Sequence, residues 1–151
     1  MSYRFGKTST ARLCSCHPDL QTIFNEVIKV MDCTIVCGHR NEADQQAAYN
    51  AKPQLSKVQY PNSNHNTYPS LAVDVAPYDA TIRNIDWGDT NRFYYFAGRV
   101  MEVARRLREE GKILHDLRWG GDWDRDTEVD DQTFIDLPHY ELVGEFILPR
   151  D

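Results

Sequence analysis

Between residues 18 and 31 the hydrophobic positions recur at steps of three and four: Leu20, Ile23, Phe24, Val27, Ile28 and Met31. That spacing lays one apolar stripe on a helix and predicts a helix over Pro18–Met31, with Pro18 in the first turn, where its missing N–H costs nothing. The run Cys33-Thr34-Ile35-Val36-Cys37 is short, apolar and β-branched and stops at Gly38, which predicts a buried strand. Asn41, with Asp44 three positions on, reads as the N-cap of a helix over Glu42–Ala51. Residues 52–70 lose all periodicity and gather proline and asparagine, the signature of a loop. Leu71–Ala76 is a second strand, ended by Pro77, and residues 78–89 are irregular. A long helix is predicted over Asn91–Glu110, with Phe93, Phe96, Ala97, Val100, Met101, Ala104 and Leu107 as its stripe and Gly111 as its stop. Arg105, Arg106 and Arg108 fall mostly off that stripe, on a solvated face. The last third carries a strand at Ile113–Trp119, an acidic loop at Asp122–Asp131, and strands near Phe134–Ile135 and Tyr140–Val143.

Helices come early and strands late, without regular strand–helix alternation. The expected class is α+β, a small antiparallel sheet with helices packed on it. At 151 residues the chain fits one domain, 1–151, with no room for a second. Hydrophobic residues make up 41% and charged residues 26%, which excludes disorder and collagen-like repeats. A net charge of −6 argues against nucleic acid as the main partner, because nothing offsets the general repulsion. No apolar run approaches the roughly 18 residues of a membrane span, and the amino terminus lacks the apolar stretch of a secretory signal. The expectation is a cytoplasmic monomer, since no heptads suggest otherwise. Cys14, Cys16, Cys33 and Cys37 are then reduced packing residues, and their spacing with His17 is not that of a structural zinc site.

Of five histidines, two sit where chemistry is plausible. His65 lies in Ser63-Asn64-His65, ahead of a strand that presents Asp74, and His139 starts a late strand in Asp136-Leu137-Pro138-His139-Tyr140-Glu141. Two imidazoles and one carboxylate form a three-ligand set for a catalytic zinc, whose fourth position stays open for water. Asp136, three residues before His139, is then the candidate general base. Glu141 alternates with His139 on a strand and is placed to orient its ring. The plain alternative is that Asp74 caps a turn and His139 packs beside Tyr140. In the acidic loop, Asp122, Asp124, Asp126, Glu128 and Asp130 alternate loosely like a Ca²⁺ loop. Thr127 and Thr133 stand where such a loop needs glycine and glutamate, so a solvated loop is the default.

Taken together, Ser63-x-His65 … Ala72-x-Asp74 and Asp136-x-x-His139-x-Glu141 resemble the D-alanyl-D-alanine carboxypeptidase family of zinc peptidases. Within it, the chain is most similar to the phage endolysins called L-alanyl-D-glutamate peptidases. The opening Ser2-Tyr3-Arg4-Phe5-Gly6-Lys7-x-Ser9, the segment Gly38-His39-Arg40 with Gln45, and Trp119-Gly120-Gly121-Asp122-Trp123 agree with that group, so the likeness spans about residues 1–143. The resemblance implies the hedgehog/D-Ala-D-Ala peptidase-like fold with zinc in a cleft, one Zn²⁺ held by His65, Asp74 and His139, and Asp136 as catalytic base. It implies that Arg40 lies in the cleft to pair with a substrate carboxylate or polarise the scissile carbonyl. Gln45, Asp122, Trp123 and Glu141 would support the cleft. The implied activity is hydrolysis of the L-alanyl-D-glutamate bond of peptidoglycan stem peptides during phage lysis. It implies a single catalytic domain without a separate wall-binding domain, waiting in the host cytoplasm for a separate membrane pore. Removal of a terminal D-alanine is the rival enzymatic reading. Hedgehog signalling domains, which resemble this fold yet bind rather than cleave, keep a non-catalytic wall-binding or structural role open. One departure stands out: the family pattern Ser-x-His-x-x-Gly-x-Ala-x-Asp is here longer by two residues, and Asn66-Thr67-Tyr68-Pro69-Ser70 removes its glycine. The phase of Ala72-x-Asp74 is kept, so metal binding requires that the extra residues bulge outward.

Overall fold

A computed structural model describes residues 3–144; Met1 and Ser2 of the opening motif and residues 145–151 lie outside the described residues. Four helices, α1 Lys7–Cys14, α2 Pro18–Val27, α3 Glu42–Asn50 and α4 Thr90–Glu109, accompany four strands, β1 Cys33–Cys37, β2 Ala72–Pro77, β3 Asp116–Trp119 and β4 His139–Val143. The strands form one antiparallel sheet in the order β1-β2-β4-β3. A 3-10 turn, Asn64–Asn66, precedes β2. The α+β class and antiparallel sheet agree with expectation.

Alternation along β2 and β4 gives the sheet two chemically different faces. Val73, Val75, Tyr140 and Leu142 point into a core completed by Leu20, Ile23, Phe24 and Val27 of α2 and by Phe96, Val100 and Leu107 of α4. Tyr140 is fully buried, edge-on to Phe24 at 5.5 Å and to Phe96 at 6.3 Å. Each such side chain contributes about 1.5–3 kcal/mol on burial. The opposite face carries Asp74, His139 and Glu141.

Four elements differ from expectation, each for a local reason. Helix α1 was not predicted: only Ser9 and Leu13 of its eight residues are buried. Long-range bonds secure it instead, Ile35 N–H to Ser9 Oγ and Arg12 Nη1 to the Ile35 carbonyl, both 3.1 Å. Helix α2 ends at Val27 rather than Met31, because the N–H groups of Lys29 and Val30 turn to carbonyls three residues back, at Glu26 and Val27. Strand β3 starts at Asp116 rather than Ile113, because the N–H groups of Leu114 and His115 donate to Asp19 Oδ2 instead of a strand. Phe134–Ile135 is not a strand but part of an irregular segment, and the Phe134 carbonyl accepts from the Trp123 indole at 2.8 Å. The expected N-cap of α3 is present, with Asn41 Oδ1 accepting from Asp44 N–H at 2.9 Å.

Candidate active site

The site is assembled from β2, β4 and the 3-10 turn. Register places Asp74 directly opposite His139, the arrangement in which facing side chains come closest. Ser63 caps the turn that brings in His65: its Oγ accepts from His65 N–H at 3.1 Å, and Asn66 Oδ1 accepts from Ser63 N–H at 2.9 Å. Asp74 Oδ1 lies 3.3 Å from both His65 Nε2 and His139 Nδ1.

The outer ring nitrogens fix the tautomers. The Gly38 carbonyl, 2.7 Å from His65 Nδ1, can only accept, so Nδ1 carries a proton and Nε2 faces inward. Glu141 Oε1, 2.7 Å from His139 Nε2, does the same for the second ring, leaving Nδ1 inward. Arg118 forks onto Glu141 Oε2 at 3.1 and 2.5 Å and holds that carboxylate in place. Despite its burial, Glu141 is held down to about 2, because its bonds to His139 and Arg118 favour the charged form.

Three donor atoms thus converge, and His65 Nε2 is buried without a hydrogen bond. An orphaned imidazole nitrogen beside a carboxylate oxygen and a second imidazole fits a metal ion, with each ring anchored from behind as metal-ligating histidines are. Electrostatics agree. Burial alone disfavours imidazolium, yet Asp74 overrides it and raises His65 to about 10; hydrogen bonds to Asp74 and Glu141 raise His139 to about 9. Burial opposes charge on Asp74 too, but the two imidazoles hold its carboxyl far below the usual range. This is a site built for positive charge.

Asp136 lines the same cleft as His65, His139 and Trp123. Burial, with the Asp74 charge nearby, raises its pKa to about 6. Its segment is pinned by the Trp119-Gly120-Gly121-Asp122-Trp123 run. Asp136 N–H donates to the Gly120 carbonyl and Gly120 N–H to the His139 carbonyl, both at 2.8 Å. Trp119 Nε1 donates to the Leu137 carbonyl at 2.7 Å. A Cβ at Gly120 would lie 2.1 Å from the Asp136 carbonyl oxygen, so only glycine permits this approach.

The sequence of 1–143 matches the profile of the phage L-alanyl-D-glutamate peptidases. The chain belongs to this family. It is 33% identical over 150 residues to the L-alanyl-D-glutamate peptidase of Escherichia phage T5, covering 95% of this chain and 100% of that protein. Among solved structures, the Serratia marcescens L-Ala D-Glu endopeptidase ChiX has the same fold, with a TM-score of 0.67, 22% identity and coverage of 97% and 94% of the two chains.

Within this family frame, the remaining expected site residues are placed as follows. Arg40 lines the cleft, bonded to Asp74 Oδ2 and Gln45 Oε1, each at 3.2 Å. Gln45 is fully buried and donates from Nε2 to Ser56 Oγ and the Val58 carbonyl, both at 2.7 Å. Trp123 forms a cleft wall, its ring 5.3 Å from that of His139. Asp122 is elsewhere: its carboxylate accepts from the N–H groups of Asp126 and Thr127 and shapes the acidic loop rather than the cleft. Asp122, Asp124 and Asp126 lie close enough to share an ion, but Asp126 and Thr127 N–H satisfy the first and Glu128 N–H the third, as in an ordinary acidic turn. The two extra residues after His65 do bulge outward, with Thr67, Tyr68 and Pro69 facing solvent. His17, Asp19 and His115 form another cluster, already occupied: His17 Nδ1 accepts the Asp19 N–H that starts α2, and Asp19 Oδ2 binds His115 Nδ1 at 2.7 Å. Sequence reasoning missed the Gly38 carbonyl and the Ser56–Val58 turn, since neither carries a side-chain signature.

Proposed function

We propose that this chain is a zinc-dependent endopeptidase that hydrolyses the L-alanyl-D-glutamate bond of peptidoglycan stem peptides, with residues 1–151 as one catalytic domain. The observation that carries the reading is the convergence of His65 Nε2, Asp74 Oδ1 and His139 Nδ1 in a cleft that also contains Asp136. Two imidazoles and a carboxylate are a donor set for Zn²⁺ with one position left open. Bound there, zinc acidifies water and polarises a carbonyl.

The protein's own groups do the rest. Asp136 takes a proton from the attacking water and returns it to the leaving amine, the work of a carboxylate poised between acid and base forms. Glu141 and the Gly38 carbonyl keep the two ring tautomers fixed. Arg40 holds Asp74 Oδ2 so that Oδ1 faces the histidines, and its remaining N–H groups are available to the scissile carbonyl oxygen. Trp123 walls the cleft. The reading includes action as a monomer that reaches the wall through a separate membrane pore.

The test is mass spectrometry of the products released from purified peptidoglycan, with and without a zinc chelator. New fragments with amino-terminal D-glutamate that vanish with chelator are expected. Released D-alanine would instead make the enzyme a carboxypeptidase, and no product from zinc-loaded protein would leave a binding domain.

A further inference from the structure

Two hollows flank Asp136, sharing Arg40 and Leu55, and their chemistry differs. One is mostly apolar, lined by Val36, Ala47, Ala48 and Trp87 together with the acidic residues Asp44 and Asp74. The other contains Lys57. The cleft therefore has two cations, and they are not equivalent. The charge of Arg40 is already paired with the Asp74 carboxylate. Lys57 Nζ sits 5.0 Å from the centroid of the Phe134 ring and has no carboxylate partner among the described residues. An aromatic face holds an ammonium without neutralising it. Fully buried Gln45 ties down both neighbours of Lys57, donating to the Ser56 hydroxyl on one side and to the Val58 backbone carbonyl on the other. A positive charge is thus presented to the cleft from a fixed turn.

We propose that Lys57 recognises the free carboxylate of the glutamate on the leaving-amine side, and so sets the direction in which the stem peptide lies across Asp136. The inference rests on the endopeptidase reading and names a specificity determinant for it. Glutamate gives its amine to the scissile bond and one carboxyl to the onward chain, which leaves one carboxylate free. The alanine side, with its amine acylated, offers a methyl group and no charge. That side suits the hollow lined by Ala47, Ala48 and Trp87, where Asp44 repels a carboxylate. A reversed peptide would set its carboxylate against Asp44 and leave Lys57 facing a methyl group.

The test uses two synthetic stem peptides that differ only in the free carboxylate, which is intact in one and a carboxamide (D-isoglutamine) in the other. The quantity read is the ratio of their kcat/KM values. Wild-type zinc-loaded protein is expected to favour the acid by about tenfold or more, chiefly through KM, as a charge-assisted contact implies. Lys57→Met is expected to bring the ratio near one, and Lys57→Arg to restore most of it. Equal losses on both peptides in Lys57→Met, with the preference intact, would give Lys57 a structural role and overturn the proposal alone. A wild-type protein that holds zinc and cleaves neither peptide would overturn the endopeptidase reading, and the proposal with it.

Discussion

Two halves of the site are held by different means. Asp74 and His139 sit on paired strands, where register alone sets them face to face, and their neighbours Val73 and Tyr140 are locked into the core behind. A slip of one residue would exchange a donor for a core side chain, so the register carries both packing and chemistry. Asp136 has no strand to hold it. Its segment is fixed by the Gly120 backbone and by two indole N–H groups, from Trp119 to Leu137 and from Trp123 to Phe134. Two of the three donors are held by strand periodicity and His65 by its capped turn, whereas the acid half depends on a few long-range bonds. Damage to the first should remove the metal; damage to the second should remove turnover while the metal stays.

The largest effect is expected from the donor half. His65→Ala removes the orphaned nitrogen, and zinc affinity should fall by more than about a hundredfold, with activity at background. Zinc content by elemental mass spectrometry checks the first and peptide turnover the second. The raised imidazole values give this a pH signature. With His65 at about 10 and His139 at about 9 in the metal-free chain, the site holds protons through the neutral range. Metal must displace them, so apparent affinity should rise with pH and binding should release protons. Calorimetry in buffers of different ionisation enthalpy measures that release.

Next comes the acid half. Asp136→Asn should keep zinc at one per chain and lower kcat by about 10²–10⁴. The sign of the pH effect follows from a carboxyl pushed up to about 6: the base form exists above that pH and is lost below it. A cation beside Asp136 draws its pKa down, so the acid limb of kcat/KM should fall at or below about 6 and be absent in the variant. Retention of zinc with full rate would remove Asp136 from the mechanism.

The same division explains what could be read without coordinates. Helix α4 and strands β1, β2 and β4 were legible within a residue or two, because burial of one stripe or face imposes a period on the chain. The grouping of His65, Asp74 and His139 was legible as well, because the family motifs set their order along the chain. Helix α1 was not legible, because its stability comes from Ser9 and Arg12 bonding Ile35 rather than from an apolar stripe. Nor was the loop character of Phe134–Ile135, whose alternation suits a strand until the Trp123 indole takes the Phe134 carbonyl. Gln45 was named from a motif, but its role as a link among Arg40, Asn66, Ser56 and Val58 depends on partners up to 21 residues away. Bonds between separated loops have no period.

The smallest effects give the sharpest comparison, because two chemically identical substitutions should diverge. At Gly120 an added methyl would meet the Asp136 carbonyl oxygen at 2.1 Å, so the segment carrying Asp136 must shift. Gly120→Ala should cost about 1–3 kcal/mol of stability and at least about tenfold in kcat, with zinc retained. At Gly98, midway along α4, the added methyl meets nothing within 4 Å. Gly98→Ala should add about 0.5–1 kcal/mol by removing backbone freedom from the unfolded chain, and leave turnover unchanged. Denaturant midpoints with zinc content and kcat on the same samples decide the matter. If Gly120→Ala also lost its zinc, His139 would have moved with Asp136 through the Gly120–His139 backbone bond. The two halves would then be one mechanical unit, and strand register would not be enough to hold the donors.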